Sequence, residues 1–120
     1  MNAEELKSQL RQFTGTTQYT RLLTKVILTD GAVYLADNAK AWWLMDVYAS
    51  YLLHIDGDVE AFTCLKLNVF ENSAVVVIED GNDHLIAKQV IEYTDFPLAS
   101  ITLYSCWSDD VWVVMLPSEY

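Results

Sequence analysis

Phe62-Thr63-Cys64-Leu65-Lys66-Leu67-Asn68-Val69-Phe70, then Glu71-Asn72, then Ser73-Ala74-Val75-Val76-Val77-Ile78-Glu79, is the stretch that decides the fold. After residue 59 the hydrophobic period is two rather than helical. Phe62–Phe70 and Ser73–Glu79 therefore read as strands, with Asn72 in the turn between them. Downstream, Leu85–Tyr93, Ser100–Trp107 and Val111–Leu116 repeat the pattern. Turn chemistry separates these runs at Asp80-Gly81-Asn82-Asp83, from Asp95 to Pro97, and at Ser108-Asp109-Asp110. Connections this short favour an antiparallel meander.

Upstream of residue 59 the period is helical. Ala3, Leu6, Leu10 and Phe13 share one face of a helix over 3–13, which Asn2 can cap and Gly15 can end. Ala41, Leu44, Met45, Tyr48, Tyr51, Leu52 and Ile55 give the main helix, over 40–54, a wide apolar face. Asp30 can cap a short helix over 32–37. The run 20–28 reads as strand or helix, its β-branched content leaning to a short strand near 24–28. Helices first and strands later predict a single α+β domain over 1–120. N-terminal helices pack on one face of a four- or five-stranded antiparallel sheet.

The chain carries seven Lys and Arg against seventeen Asp and Glu, a net charge of −10. Residues 1–40 hold five basic and four acidic residues, whereas 41–120 hold only Lys66 and Lys88 against thirteen acids. That balance disfavours direct binding to nucleic acid or to anionic membranes and favours a basic protein partner. No charge-flanked apolar leader opens the sequence, and 41–55 is too short to span a bilayer, so the expected location is the cytoplasm. Cys64 and Cys106 lie in apolar stretches and are expected as free, at least partly buried thiols. Nothing in the composition sets an oligomeric state.

Few constellations carry chemistry. Asp46, Ser50 and His54 form a polar stripe at helical spacing, but Ser50 stands in the middle, where a triad needs the histidine. His54 and His84 lack the third and fourth ligands of a metal site, so no metal and no cofactor is expected. Tyr93-Thr94-Asp95-Phe96-Pro97-Leu98 and Leu116-Pro117-Ser118-Glu119-Tyr120 each combine a strand-breaking Pro with an acid and aromatics. If the strand ends meet, Tyr93, Phe96 and Tyr120 form one rim cluster, with Asp95 and Glu119 beside it as a carboxylate pair. On that reading Tyr120 buries its ring and fastens the C-terminus.

Those two blocks, with Thr29-Asp30-Gly31 and Ala41-Trp42-Trp43-Leu44 plus Asp46, resemble a family of small bacterial proteins. The family is a domain of unknown function and shows TDG, AYWL-D, YTDFPL and LPSEY motifs. The likeness runs from about Phe13 to the end. Trp42 stands where the family usually has Tyr, and Lys40 where it often has Gly. The resemblance implies a cytoplasmic protein of plasmid or accessory DNA, and it implies no activity. Two functions compete. One is a non-enzymatic interaction or regulatory protein with an acidic sheet end, of which a DNA mimic is a special case. The other is a small enzyme or small-molecule-binding protein with an acidic and aromatic pocket at the sheet rim.

Overall fold

The computed structural model describes residues 1–120. Three helices, α1 (Ala3–Leu10), α2 (Asp30–Asn38) and α3 (Trp42–Leu52), share the fold with seven strands. The strands are β1 (Thr20–Leu23), β2 (Val26–Leu28), β3 (Phe62–Phe70), β4 (Ser73–Asp80), β5 (Leu85–Ile91), β6 (Ser100–Ser108) and β7 (Val111–Met115). A 3-10 turn at Pro117–Glu119 ends the chain. The α+β class is as expected, but the sheet is larger than four or five strands and is not wholly antiparallel.

Its order is β1-β2-β7-β6-β3-β4-β5. The added strands are β1 and β2, and β2 lies parallel to β7, with Val26 opposite Trp112 and Leu28 opposite Val114. Three apolar residues in β2 are too few to display a period. Only the long-range partner turns them into a strand. The meander fails at one step as well. β6 pairs with β3, not with β5, so 92–99 crosses the end of the sheet. Side chains explain this order. Leu65 and Leu67 of β3 are fully buried and suit a central strand, whereas β5 turns Ala87, Gln89 and Ile91 inward and is mostly exposed, which suits an edge.

α1 and α3 are shorter than the expected 3–13 and 40–54, whereas α2 runs longer than the expected 32–37. Asn2 caps α1 by accepting from Glu5 N at 2.8 Å. The cap of α2 is Thr29, whose hydroxyl accepts from Ala32 N, so Asp30 is the first helical residue rather than the cap. Lys40 holds a left-handed φ of 51° in the turn before α3, so that turn forms without glycine. Leu44, Met45, Tyr48, Ala49 and Leu52 of α3 are buried against the inward residues Leu65, Leu67, Ile78, Leu103 and Val114 in one hydrophobic core. Inside it, the Tyr48 hydroxyl bonds Thr63 Oγ1 at 2.7 Å and Ser105 Oγ at 3.1 Å, so each buried hydroxyl has a partner. Burial pushes the Tyr48 hydroxyl far above the ordinary tyrosine range, so it stays neutral. No helix is long and apolar enough to cross a membrane.

The crossing segment closes the core. Thr94 N donates to Asn72 O at 2.7 Å, and the Thr94 hydroxyl accepts from Phe96 N. These bonds aim Phe96 and Leu98 inward, and Phe96 meets Trp43 edge-on, with ring centroids 6.5 Å apart. Replacing Phe96 with Ala removes a plug rather than a surface group. Phe96→Ala is expected to cost about 3 kcal/mol of unfolding free energy in a urea titration. The neighbouring exposed Tyr93→Ala is expected to stay within about 0.5 kcal/mol of the parent.

Candidate functional site

The rim residues fall into two separate places. Tyr93 and Asp95 are exposed and Phe96 is buried, all in the crossing segment beside the β3–β4 turn. Tyr120 is 74% exposed and sets its ring edge-on against Phe62 and Tyr104, at 5.4 and 5.5 Å. Phe62 and Phe70 begin and end β3, about 26 Å apart at the strand rise. The expected cluster of Tyr93, Phe96 and Tyr120 therefore does not form, and Asp95 does not pair with Glu119. The physical reason is the crossing. It leaves and re-enters the sheet at the Phe70 end, while Tyr120 leans toward the Phe62 end.

Glu119, not Tyr120, fastens the C-terminus. Its Oε1 accepts from Thr29 Oγ1 at 2.7 Å and from Leu116 N at 3.0 Å. Its Oε2 accepts from Thr16 Oγ1 at 3.0 Å and Gly31 N at 3.1 Å. The carboxylate thus sits at the N-terminus of α2, where unpaired N–H groups and the helix dipole favour an anion. A Cβ on Gly31 would overlap the Glu119 carboxylate, so glycine is needed for this approach. Asp30 completes the joint by accepting from Thr17 N at 2.9 Å, while Thr16 Oγ1 accepts from Asp30 N.

Asp46 and Ser50 lie on the exposed face of α3, and His54, also exposed, lies in the turn after it. The Ser50 hydroxyl donates to Val47 O at 2.7 Å, as a serine on a solvated helix face does. None of the three bonds another. No group of three His, Cys, Asp or Glu side chains converges as a metal site would need. Cys64 and Cys106 are free and half-buried, and desolvation raises both thiols above the ordinary range.

Topology gathers a different set. β3 and β7 begin at one end of the sheet, and β4 and β6 finish there, with Thr63 opposite Asp80 and Ser108 opposite Val111. The loop after α3 and two hairpin turns therefore meet at that end. They bring Asp56, Asp58, Glu60, Glu79, Asp80, Asp83, Asp109 and Asp110 together, eight of the thirteen acids after residue 40. Few cations offset them. Lys66 is held at 2.9 Å by Glu79, which raises its ammonium above the ordinary range, and His84 rests on Asp80 at 3.1 Å. Lys25, in the turn before β2, makes no ion pair.

Some of these acids are structural. Asp80 accepts from the backbone N–H groups of His84 and Asn82, which hold its carboxyl below the ordinary range. Asp58 accepts from Trp107 Nε1 at 3.2 Å, and the Trp107 indole lies on Gly57, where a Cβ would collide with the ring. Glu60, Asp83, Asp109 and Asp110 make no side-chain hydrogen bond and face water. Between Trp107, Trp112, Asp56, Asp58 and Lys25 opens a cavity of about 210 Å³. Read one turn at a time in the sequence, each of these acidic segments is an ordinary turn. Strand order alone brings them together.

A family model described as a family of unknown function, DUF6876, matches residues 4–120, and the chain belongs to that family. No curated protein and no solved structure matches it.

The Glu119 joint gives a direct expectation. Glu119→Gln turns one acceptor oxygen into an amide facing donors, so about 2 kcal/mol of stability should be lost in chemical denaturation. Asp95→Asn, at the exposed crossing segment, should change stability by less than about 0.5 kcal/mol.

Proposed function

We propose that this DUF6876 protein is a non-enzymatic interaction protein that presents the acidic end of its sheet to a basic protein partner. The observation that carries the reading is the gathering of eight carboxylates at one end, against two cations outside an ion pair in the β1–β2 hairpin, Lys25 and Arg21, whose guanidinium donates to Thr24 O. Charge of one sign on a rigid scaffold steers an oppositely charged partner and sets its orientation. Of the free acids, Asp83, Asp109 and Asp110 sit on turns between paired strands, so they are held in place before binding and lose little freedom on contact.

The small-molecule reading is weaker on size. Sites for drug-sized ligands occupy about 300–1,000 Å³, whereas the cavity beside Trp107 holds about 210 Å³. That volume suits one inserted side chain of a partner. The groups an enzyme at the rim would use fall in three separate places: Asp46 on α3, Tyr93 and Asp95 in the crossing segment, and Glu119 in the last turn. The resemblance to proteins of bacterial plasmid or accessory DNA supports a cytoplasmic regulatory role.

Charge substitution at the two ends of the sheet tests the reading. A lysine- and arginine-rich peptide, titrated by calorimetry, should bind the parent protein and weaken as salt is added. Glu60→Gln, Asp83→Asn, Asp109→Asn and Asp110→Asn combined should weaken it roughly tenfold or more. Asn tolerates the left-handed φ that Asp83 and Asp109 adopt. Glu71→Gln, Glu92→Gln and Asp95→Asn combined, at the other end, should change it little. Equal loss from both sets would show that only net charge matters and would refute a defined acidic site.

A further inference from the structure

We infer that the uncovered face of the sheet is a self-association surface, on which a second copy of this chain stacks with its strands running the opposite way. The inference is independent of the acidic end. It starts from the pattern of inward and outward residues. The single buried core takes Leu65, Leu67, Val76, Ile78, Leu103 and Val114 from the strands, together with residues of all three helices. The alternate residues point away from every helix. An antiparallel sheet with one solvated face normally turns polar side chains to water. Here the outward positions include Phe62, Val75, Val77, Val90, Tyr104 and Val113. Val90 and Phe70 are each 62% exposed.

Area and charge both identify a second copy as the occupant. The five strands from β7 to β5 present a face about 24 Å across and about 25 Å long at ordinary strand spacings. Two such faces bury on the order of 1,200 Å², the lower bound of a stable interface. Stacked sheets of this kind build the core of a β-sandwich. Although the chain carries −10, the outward strand positions from β7 to β5 carry Lys66 and Lys88 against Glu79. The carboxylates lie at the end of the sheet instead. A basic protein gains nothing on this face, whereas in a like copy the central Lys66 arrives already paired with Glu79 at 2.9 Å.

The same charges choose the orientation. Strands stacked in the same direction would superpose two acidic ends. Strands stacked in opposite directions place those ends about 25 Å apart, well beyond a Debye length of about 8 Å. The opposed arrangement also sets the Phe62 ring at one end of β3 in one copy over Phe70 at the other end of β3 in the second. Aromatic groups of this kind carry most of the energy in interfaces. The pair would offer one acidic end at each pole.

Sedimentation and light scattering on the full chain, from micromolar to sub-millimolar concentration, should show twice the 13.7 kDa chain mass. Val77→Glu should shift the equilibrium roughly tenfold or more toward the monomer with an unchanged circular dichroism spectrum. If that variant fails to fold, Val90→Lys at the exposed edge should act in the same direction. Cys64 and Cys106 lie on this face, so their maleimide labelling should slow several-fold as the parent protein is concentrated. The Asp83→Asn, Asp109→Asn and Asp110→Asn set should leave the dimer intact, which separates this inference from the acidic-end reading. A chain that stays at single mass, with labelling independent of concentration, overturns it. So does a dimer that ignores both face variants.

Discussion

The carboxylate of Glu119 at the N-terminus of α2 is the contact on which the arrangement of the chain depends. It joins three segments distant in sequence: the Thr16 loop, the Thr29–Gly31 entry to α2, and the turn after β7. Thr29 N also donates to Val114 O at 3.1 Å, which carries the β2–β7 pairing up to the helix cap. The parallel pair is the only one in the sheet, and it has just three residues on its β2 side. A pairing so short and so non-local needs a lock, since loop closure is costly before long-range contacts form. Four hydrogen bonds to one carboxylate supply it, and a charged acceptor makes each stronger than a neutral one would.

A second constraint acts from inside. Tyr48, Thr63 and Ser105 are fully buried hydroxyl residues contributed by α3, β3 and β6. Each is satisfied only by the others, so α3 can lie on the sheet in one register alone. The joint at Glu119 fixes the end of β7 against α2, and the hydroxyl cluster fixes α3 against the central strands. Together they hold the helices on one face. They leave the opposite face, with its valines and aromatic rings, open to a partner. The acidic end follows from the same topology, because strands that alternate in direction must bring their turns together.

Much of this was legible in the sequence. The change of period near Val59, the hairpin at Asn72, the Asn2 cap and the buried face of α3 all rest on local patterns of side chains. What was not legible rests on long-range partners. Val26–Leu28 becomes a strand only beside Trp112–Val114. The Tyr93-to-Leu98 block marks a crossing rather than a meander turn because β3 has a second edge for β6 to occupy. The C-terminal Leu116-to-Tyr120 block belongs to the fold, as its pattern suggests, but is held by Glu119 rather than by the Tyr120 ring. An aromatic ring at a chain end suggests burial, whereas the anchoring force is the neighbouring carboxylate, whose donors lie at the far side of the sequence. The site was hidden for the same reason. Asp56, Asp83 and Asp109 are each unremarkable turn residues, and strand order alone assembles them.

Amide hydrogen exchange tests the joint most directly, because Gly31 and Leu116 both donate their backbone N–H to Glu119. In the full chain these two amides should exchange only as slowly as global unfolding allows. In a chain ending at Ser118 both should exchange orders of magnitude faster, and Thr29 should follow, while Leu65 and Leu103 in the central strands remain protected. Gly31 and Leu116 amides that exchange equally fast in both chains, or that stay protected after the truncation, would contradict the account.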